Sequence, residues 1–208
     1  MANLSQFMAG GKLRYQLFTS SGTFTPSTKL LANGGQVFLE MAGGGGGGAA
    51  EYTWGSTYNV GGGGGSSFLK TATTVLAPVT VIIGAGGQSG RSGSNSSGLN
   101  AIAPGDGGNT SFGSVVCYGG RKGADRRGGA SGSQGQPGFN GFYVSPGFNG
   151  TNVTASVLQD GNGGGSGGGG AGRLSGEANT GGGGAGANGS SVYSGAGGSG
   201  YCLVYWFE

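Results

Sequence analysis

The sequence predicts a mainly β and irregular fold: short antiparallel β-strands combined with a packed bundle of glycine helices of the polyproline II type, and almost no α-helix. Three observations carry this expectation. Short runs of β-branched and aromatic residues are bounded by Gly, Asn or Pro. Glycine makes up 58 of the 208 residues and recurs at every third position within several tracts. No stretch shows helical periodicity with caps, and glycine costs about 1 kcal/mol per residue in a helix interior.

Four segments read as strands: Leu13 to Thr25, Gln36 to Met41, Thr73 to Ile83 and Cys202 to Phe207, with a weaker fifth at Ser114 to Tyr118. The first is long enough for two short strands around Ser20, Ser21 and Gly22. The third contains Pro78, which cannot donate to a ladder and so argues for an edge position or a break.

Between the strands lie glycine tracts at 43–48, 61–65, 84–93, 105–108, 119–141, 161–172, 181–189 and 195–200. Gly84, Gly87, Gly90 and Gly93 are each three apart, as are Gly129, Gly132, Gly135, Gly138 and Gly141. Gly120 and Gly123 share the second frame, with Arg126 in a glycine slot, and Gly147 and Gly150 resume it. Further frames are Gly161, Gly164, Gly167 and Gly170, and Gly183, Gly186 and Gly189, rejoined by Gly195 and Gly198.

Glycine at every third position suits an extended helix with three residues per turn, whose neighbours approach closely only where no Cβ intervenes. Collagen uses that geometry with Pro or hydroxyproline at 15% or more, and this chain has 5 Pro. The tracts are therefore expected to pack side by side within one chain through backbone N–H···O bonds and Cα–H···O contacts, without a conventional apolar interior. At about 3.1 Å per residue, 129–141 spans roughly 37 Å, comparable to the breadth of a compact domain of this size. The alternative is flexible Gly/Ser linkers, which have no reason to keep glycine in frame over many triplets.

Composition removes most chemistry. There is no His and there are two Cys, which excludes Cys/His zinc sites and Ser-His-Asp or Cys-His catalysis. Cys117 and Cys202 lie far apart in apolar surroundings and read as buried free thiols. The seven acidic residues are scattered, so no carboxylate pair can be assigned to catalysis. Matches to phosphate loops such as GAGGQSG at 84–90 carry no weight where any glycine pattern arises by chance, and no Walker sequence occurs. Neither catalytic residues, metal ligands nor a cofactor are expected; the chain reads as a non-enzyme. With 10 Lys and Arg and a net charge of +3, nucleic acid is not an expected partner. No secretory signal is evident at the start, and the longest apolar run, YCLVYWF at 201–207, falls far short of a membrane span.

Two groups of residues stand out as candidate binding sites. The cluster RKGADRRGG offers Arg121, Lys122, Arg126 and Arg127 as an anion contact, or simply as a solvated loop. Aromatic residues set among Ser, Gly and Asn form the second group: Tyr52, Trp54 and Tyr58 in EYTWGSTYN; Phe139, Phe142, Tyr143 and Phe148 around the repeated PGFNG; and Tyr193 in NGSSVYSG. Loops on a rigid scaffold carry recognition in many folds, and aromatic faces stack on sugars or fill partner pockets. The same residues would also serve to cap the sides of a thin glycine core.

FTSSGTFTPSTKLLANGGQVFLEMAGGGGGG at 18–48, VTVIIGAGG at 79–87, NTSFGS at 109–114 and the closing strand at 201–207 resemble the glycine-rich domain of phage tail-fibre and minor tail proteins. By extension they are similar to the receptor-binding adhesins at the tips of T-even-type tail fibres. That resemblance implies polyglycine II helices as scaffold, with the variable segments contacting an outer-membrane protein or surface glycan. It divides the chain into an N-terminal docking or attachment segment, 1–17, and a glycine-rich domain, 18–208. It implies a virion protein made in the host cytoplasm, with other tail-fibre or baseplate proteins as partners, or a homotrimer formed through its own strands. With 17 residues ahead of the resembling part, the long fibre-attachment domain of those adhesins is not expected here, and a short docking segment would take its place. The expected function is bacterial receptor recognition at the tail tip; the alternatives are an architectural virion component and, from the same glycine bundle, an ice-binding protein.

Overall fold

The computed structural model describes residues 11–51, 67–91, 102–123, 144–146, 175–188 and 193–208. These residues are mainly β-strand, arranged in two antiparallel sheets with almost no helix. Five strands form the larger sheet in the order β1, β11, β3, β5, β9: β1 is Leu13–Phe18, β11 Tyr201–Phe207, β3 Gln36–Ala42, β5 Ser67–Thr74 and β9 Val144–Pro146. The smaller sheet runs β2, β6, β7, β8: Gly22–Phe24, Val79–Ile82, Thr110–Phe112 and Val115–Cys117. β4 (Ala50–Glu51) and β10 (Ala187–Asn188) form a separate parallel pair.

The strands follow the period-two alternation of half-buried sheets. Val37, Leu39 and Met41 of β3 face inward, as do Cys202 and Val204 of β11 and Leu69 and Thr71 of β5. Against them pack Phe24, Val81, Phe112, Val115 and Cys117 of the smaller sheet. Phe24 stands at the centre, tilted on Phe112 at 5.6 Å and edge-on to Trp206 at 5.3 Å. Each fully buried side chain of this size contributes about 2–3 kcal/mol. The strands thus supply an apolar core of their own, which the sequence reading did not place beside the glycine tracts.

The expected first segment divides into β1 and β2 at Thr19 to Ser21, as its Ser-Ser-Gly sequence suggests. The Thr73 to Ile83 segment breaks between Thr74 and Val79, around Pro78, and its halves join different sheets. Five strands were not foreseen: most of β5, whose run SFLKTATT mixes polar residues into both rows, and β4, β7, β9 and β10, which at two or three residues each are too short to stand out. β7 and β8 form a two-residue hairpin that opens on Gly113, at φ +56°. One five-residue helix, α1 (Thr28–Ala32), starts at Ser27, whose hydroxyl accepts from the Leu30 amide at 3.0 Å, and buries Leu30.

Glycine segments continue directly from strand ends. Residues 43–49 follow β3, 84–91 follow β6, and 118–123 follow β8; 102–109 lead into β7 and 193–200 into β11. Thr110 ties this junction together, its hydroxyl donating to the Ala42 carbonyl at 2.7 Å and accepting from the Gly84 amide at 3.0 Å.

Segment 43–49 lies among five others, and its bonds to them repeat every third residue. The carbonyls of Gly44 and Gly47 accept from Gly120 and Gly123, those of Gly45 and Gly48 from Gly87 and Gly90, and those of Gly46 and Ala49 from Gly184 and Ala187. Its amides at Gly44 and Gly47 donate to Gly108 and Gly105, and those at Gly45 and Gly48 to Gly198 and Gly195. Neighbours also bond to one another, as Gly108 to Ala85 and Gly197 to Gly87. A Cβ on Gly47 would lie 1.9 Å from the Gln88 carbonyl oxygen, and one on Gly48 2.0 Å from that of Ala185. Such approach requires glycine.

Burial follows the predicted frames. In segment 84–91, Gly84, Gly87 and Gly90 are buried while Ala85 and Gln88 are exposed; Gly120 and Gly123 are buried around exposed Arg121 and Lys122. Segments 43–49 and 181–187 are buried at every position, because neighbours cover them on all sides. The frames at 129–141, 147–150 and 161–170, with Gly93 and Gly189, lie outside the described residues.

Candidate functional site

The glycine segments have one end at the sheets and one remote from them. At the remote end the chain passes out of the described residues at Glu51, Arg91 and Asn188, and re-enters at Ile102 and Tyr193. These residues converge. Glu51 pairs with Asn188, and Arg91 bridges both Ile102 and Tyr193 in antiparallel fashion. Backbone bonds of 2.9 and 3.0 Å join Arg91 and Ile102.

The Arg91 guanidinium lies 5.1 Å from the Tyr193 ring centroid, a cation–π contact that orients both side chains. Tyr193 remains 55% exposed and Ile102 42%. Beneath them, buried Ser194 fixes the base of the cluster. Its hydroxyl donates to the Gly48 carbonyl, accepts from the Gly90 amide at 2.7 Å, and lies 3.2 Å from the Gly90 carbonyl oxygen. The Gln88 side chain holds the adjacent segment by donating to the Ala103 carbonyl at 3.1 Å. The arrangement presents an aromatic ring, a cation and an aliphatic side chain on a hydrogen-bonded backbone support. It can stack, pair with an anion or fill an apolar recess; among the described residues no group of three His, Cys, Asp or Glu is placed to hold a metal.

Tyr193 is the one predicted aromatic contact residue among the described residues. Tyr52, Trp54, Tyr58, Phe139, Phe142, Tyr143 and Phe148 lie outside them. Sequence reasoning missed Arg91 and Ile102; the signal available was an arginine immediately following Gly90, where a cation replaces the small residues of the tract.

Arg121 and Lys122 lie elsewhere, on the flank of the bundle beside Gly46. Asp106 meets both, accepting from Arg121 Nη1 at 3.3 Å and from the Lys122 amide at 2.8 Å. Arg121 and Asp106 are well exposed, so the ion pair is solvent-screened and worth little, but it halves the local positive charge. Arg126 and Arg127 lie outside the described residues.

Where the sheets meet the glycine segments, Cys117 opposes Thr110 and Cys202 opposes Met41, and both cysteines are buried and unbridged. Burial, then the neighbouring Cys117, pushes the Cys202 thiol up to about 12, so it is no thiolate nucleophile. Burial also pushes the Tyr201 phenol up, assisted by its 2.9 Å hydrogen bond to Glu40, which Lys70 pairs at 2.9 Å. These groups are structural.

The profile of the glycine-rich domain matches residues 19–207, from the end of β1 to the last residue of β11. The chain belongs to the glycine-rich domain family. The match covers the smaller sheet, the larger sheet except β1, and every glycine segment described above, so the glycine-rich domain takes in both the sandwich and its glycine extension. β1, Leu13–Phe18, lies wholly ahead of it. No curated protein matches the chain.

Proposed function

We propose that this glycine-rich domain is a display module of a phage tail fibre or tail tip, whose remote end contacts an outer-membrane protein or surface glycan of the bacterial host. The observation that carries the reading is the convergence of Glu51, Arg91, Ile102, Asn188 and Tyr193 at one end of the glycine segments. The connections holding Tyr52, Trp54 and Tyr58 and following Asn188 leave from that end. Polyglycine II helices are the scaffold in this proposal, supported by hydrogen bonds that change partner every residue and return every third. Backbone-to-backbone bonding in several directions gives stiffness, and stiffness lowers the ordering cost of presenting aromatic side chains to a partner.

The test is adsorption. Purified protein should bind host cells and compete with phage adsorption, and exchange of residues 139–149 should alter host range with particle assembly intact. Tyr193→Ala should weaken cell binding about tenfold, the loss of one aromatic contact. Protein that folds yet neither binds cells nor competes defeats the reading. An architectural virion component is the second reading, favoured by the exposed Leu13, Tyr15 and Leu17 of β1; under it the same exchange would disturb assembly and leave adsorption of completed particles unchanged.

A further inference from the structure

Among the described residues β1 is an edge strand, paired with β11 on one side, and every residue from Leu13 to Leu17 is exposed. Its outward row is apolar: Leu13 is 53% exposed, Tyr15 74% and Leu17 55%. The same row continues inward through Phe207, Tyr205 and Leu203, which oppose these three residues across the ladder, and Tyr205 stacks on Phe38 at 5.3 Å. Natural sheets guard their edges with short strands, charges or proline. Among the described residues the other edge strands are β2, β8 and β9, of three residues each, and the paired β4 and β10, of two; β9 ends in Pro146. β1 has six, and its outward row carries no charge.

The run Leu13-Arg14-Tyr15-Gln16-Leu17 has the same apolar-polar order in both directions about Tyr15. We propose that a second copy of this chain pairs with β1 antiparallel, centred on Tyr15, joining the two five-stranded sheets edge to edge. In that register Leu13 opposes Leu17 of the second copy, Tyr15 opposes Tyr15, and the apolar rows meet. Charge selects the direction. Arg14 opposes Gln16 and Lys12 opposes Phe18, so no cation faces a cation, whereas a parallel in-register pair would align Lys12 and Arg14 with their own copies. Arg14 is in addition neutralised within its own chain by Glu208 at 3.0 Å. The pairing generates a two-fold axis and closes at two copies, so it does not build the trimer that the family resemblance raises. One strand edge per copy is a small interface, which places the dimer in the weak, transient class.

The 208-residue chain should change from one to two chain masses by light scattering as its concentration rises from about 1 µM towards about 1 mM, the weak end of the affinity scale. Tyr15→Lys, which sets two ammonium groups together on the axis, should raise the dissociation constant at least about tenfold with the melting curve unchanged. Cysteine cross-linking fixes the register, since both native cysteines are buried. Tyr15→Cys should oxidise to a dimer, its Cα atoms about 4.5–5.5 Å apart and within disulfide reach. Leu17→Cys alone should not, with its own copy roughly 14 Å away, but it should cross-link when mixed with Leu13→Cys. A folded monomer at every concentration, a trimer, or equal cross-linking through Tyr15→Cys and Leu17→Cys alone would each overturn the proposal. The last two results would point to a different surface or occupant, such as a larger fibre protein.

Discussion

A single methyl group discriminates sharply between glycines that look alike in the sequence. On Gly47 it would meet the Gln88 carbonyl oxygen at 1.9 Å, where both sides of the clash are backbone; on Gly105 it would meet the Gln88 Cγ and amide nitrogen at 3.1 Å. Gly47→Ala is therefore expected to cost about 3 kcal/mol or more, and Gly105→Ala about 1 kcal/mol, by denaturant unfolding. Glu208 gives a residue-scale test of pH. Its carboxylate accepts from the Ser27 hydroxyl, from Trp206 Nε1 at 3.3 Å and from Arg14 Nε at 3.0 Å. The Ser27 bond first, then the Trp206 bond and Arg14, hold its pKa below the ordinary 4.5. A lowered folded-state pKa means a contribution present above 4.5 and lost as pH falls through the depressed value. Glu208→Gln should accordingly melt lower than the parent at neutral pH, and the two melting curves should converge under acid.

Strands and glycine segments depend on each other at their junctions, and Thr110 is the clearest case. Thr110→Val keeps the shape but leaves the Gly84 amide and the Ala42 carbonyl buried without that hydroxyl; the expected cost is about 1–3 kcal/mol. Faster exchange of the Gly84 amide than of its neighbours would check it. Much of this level was legible in the sequence. Alternation marked β3 and β11, Pro78 marked the break between β5 and β6, and the spacing of Gly84, Gly87 and Gly90 marked the positions that are buried. β5 was not legible because its inward row pairs Leu69 with a threonine, Thr71, around exposed Lys70, and β7 because three residues give no period. The Arg91, Ile102 and Tyr193 cluster was legible only through Tyr193: the other two lie far from it in sequence, and backbone pairing unites them.

At the scale of the whole molecule, an apolar sandwich anchors a region held chiefly by main-chain bonds. Hydrogen exchange distinguishes this from a sandwich with loose glycine tails. Amides of Gly44, Gly45, Gly47 and Gly48, which donate at 2.9 Å, should be protected to nearly the same degree as those of β3 and should lose protection together with it. Exchange at the rate of an open chain would remove the support for display from a stiff base.

Burial at every third position also constrains how such a chain can change in length. One residue added after Gly84 would shift all that follow out of the three-residue burial pattern and bring Ser89 where Gly90 now lies. Three added residues, the third of them glycine, would restore glycine to each covered position and merely slide the segment along its neighbours. Reach toward the outside is thus adjustable in whole triplets, and variants of this architecture should tolerate insertions in multiples of three where they reject one or two.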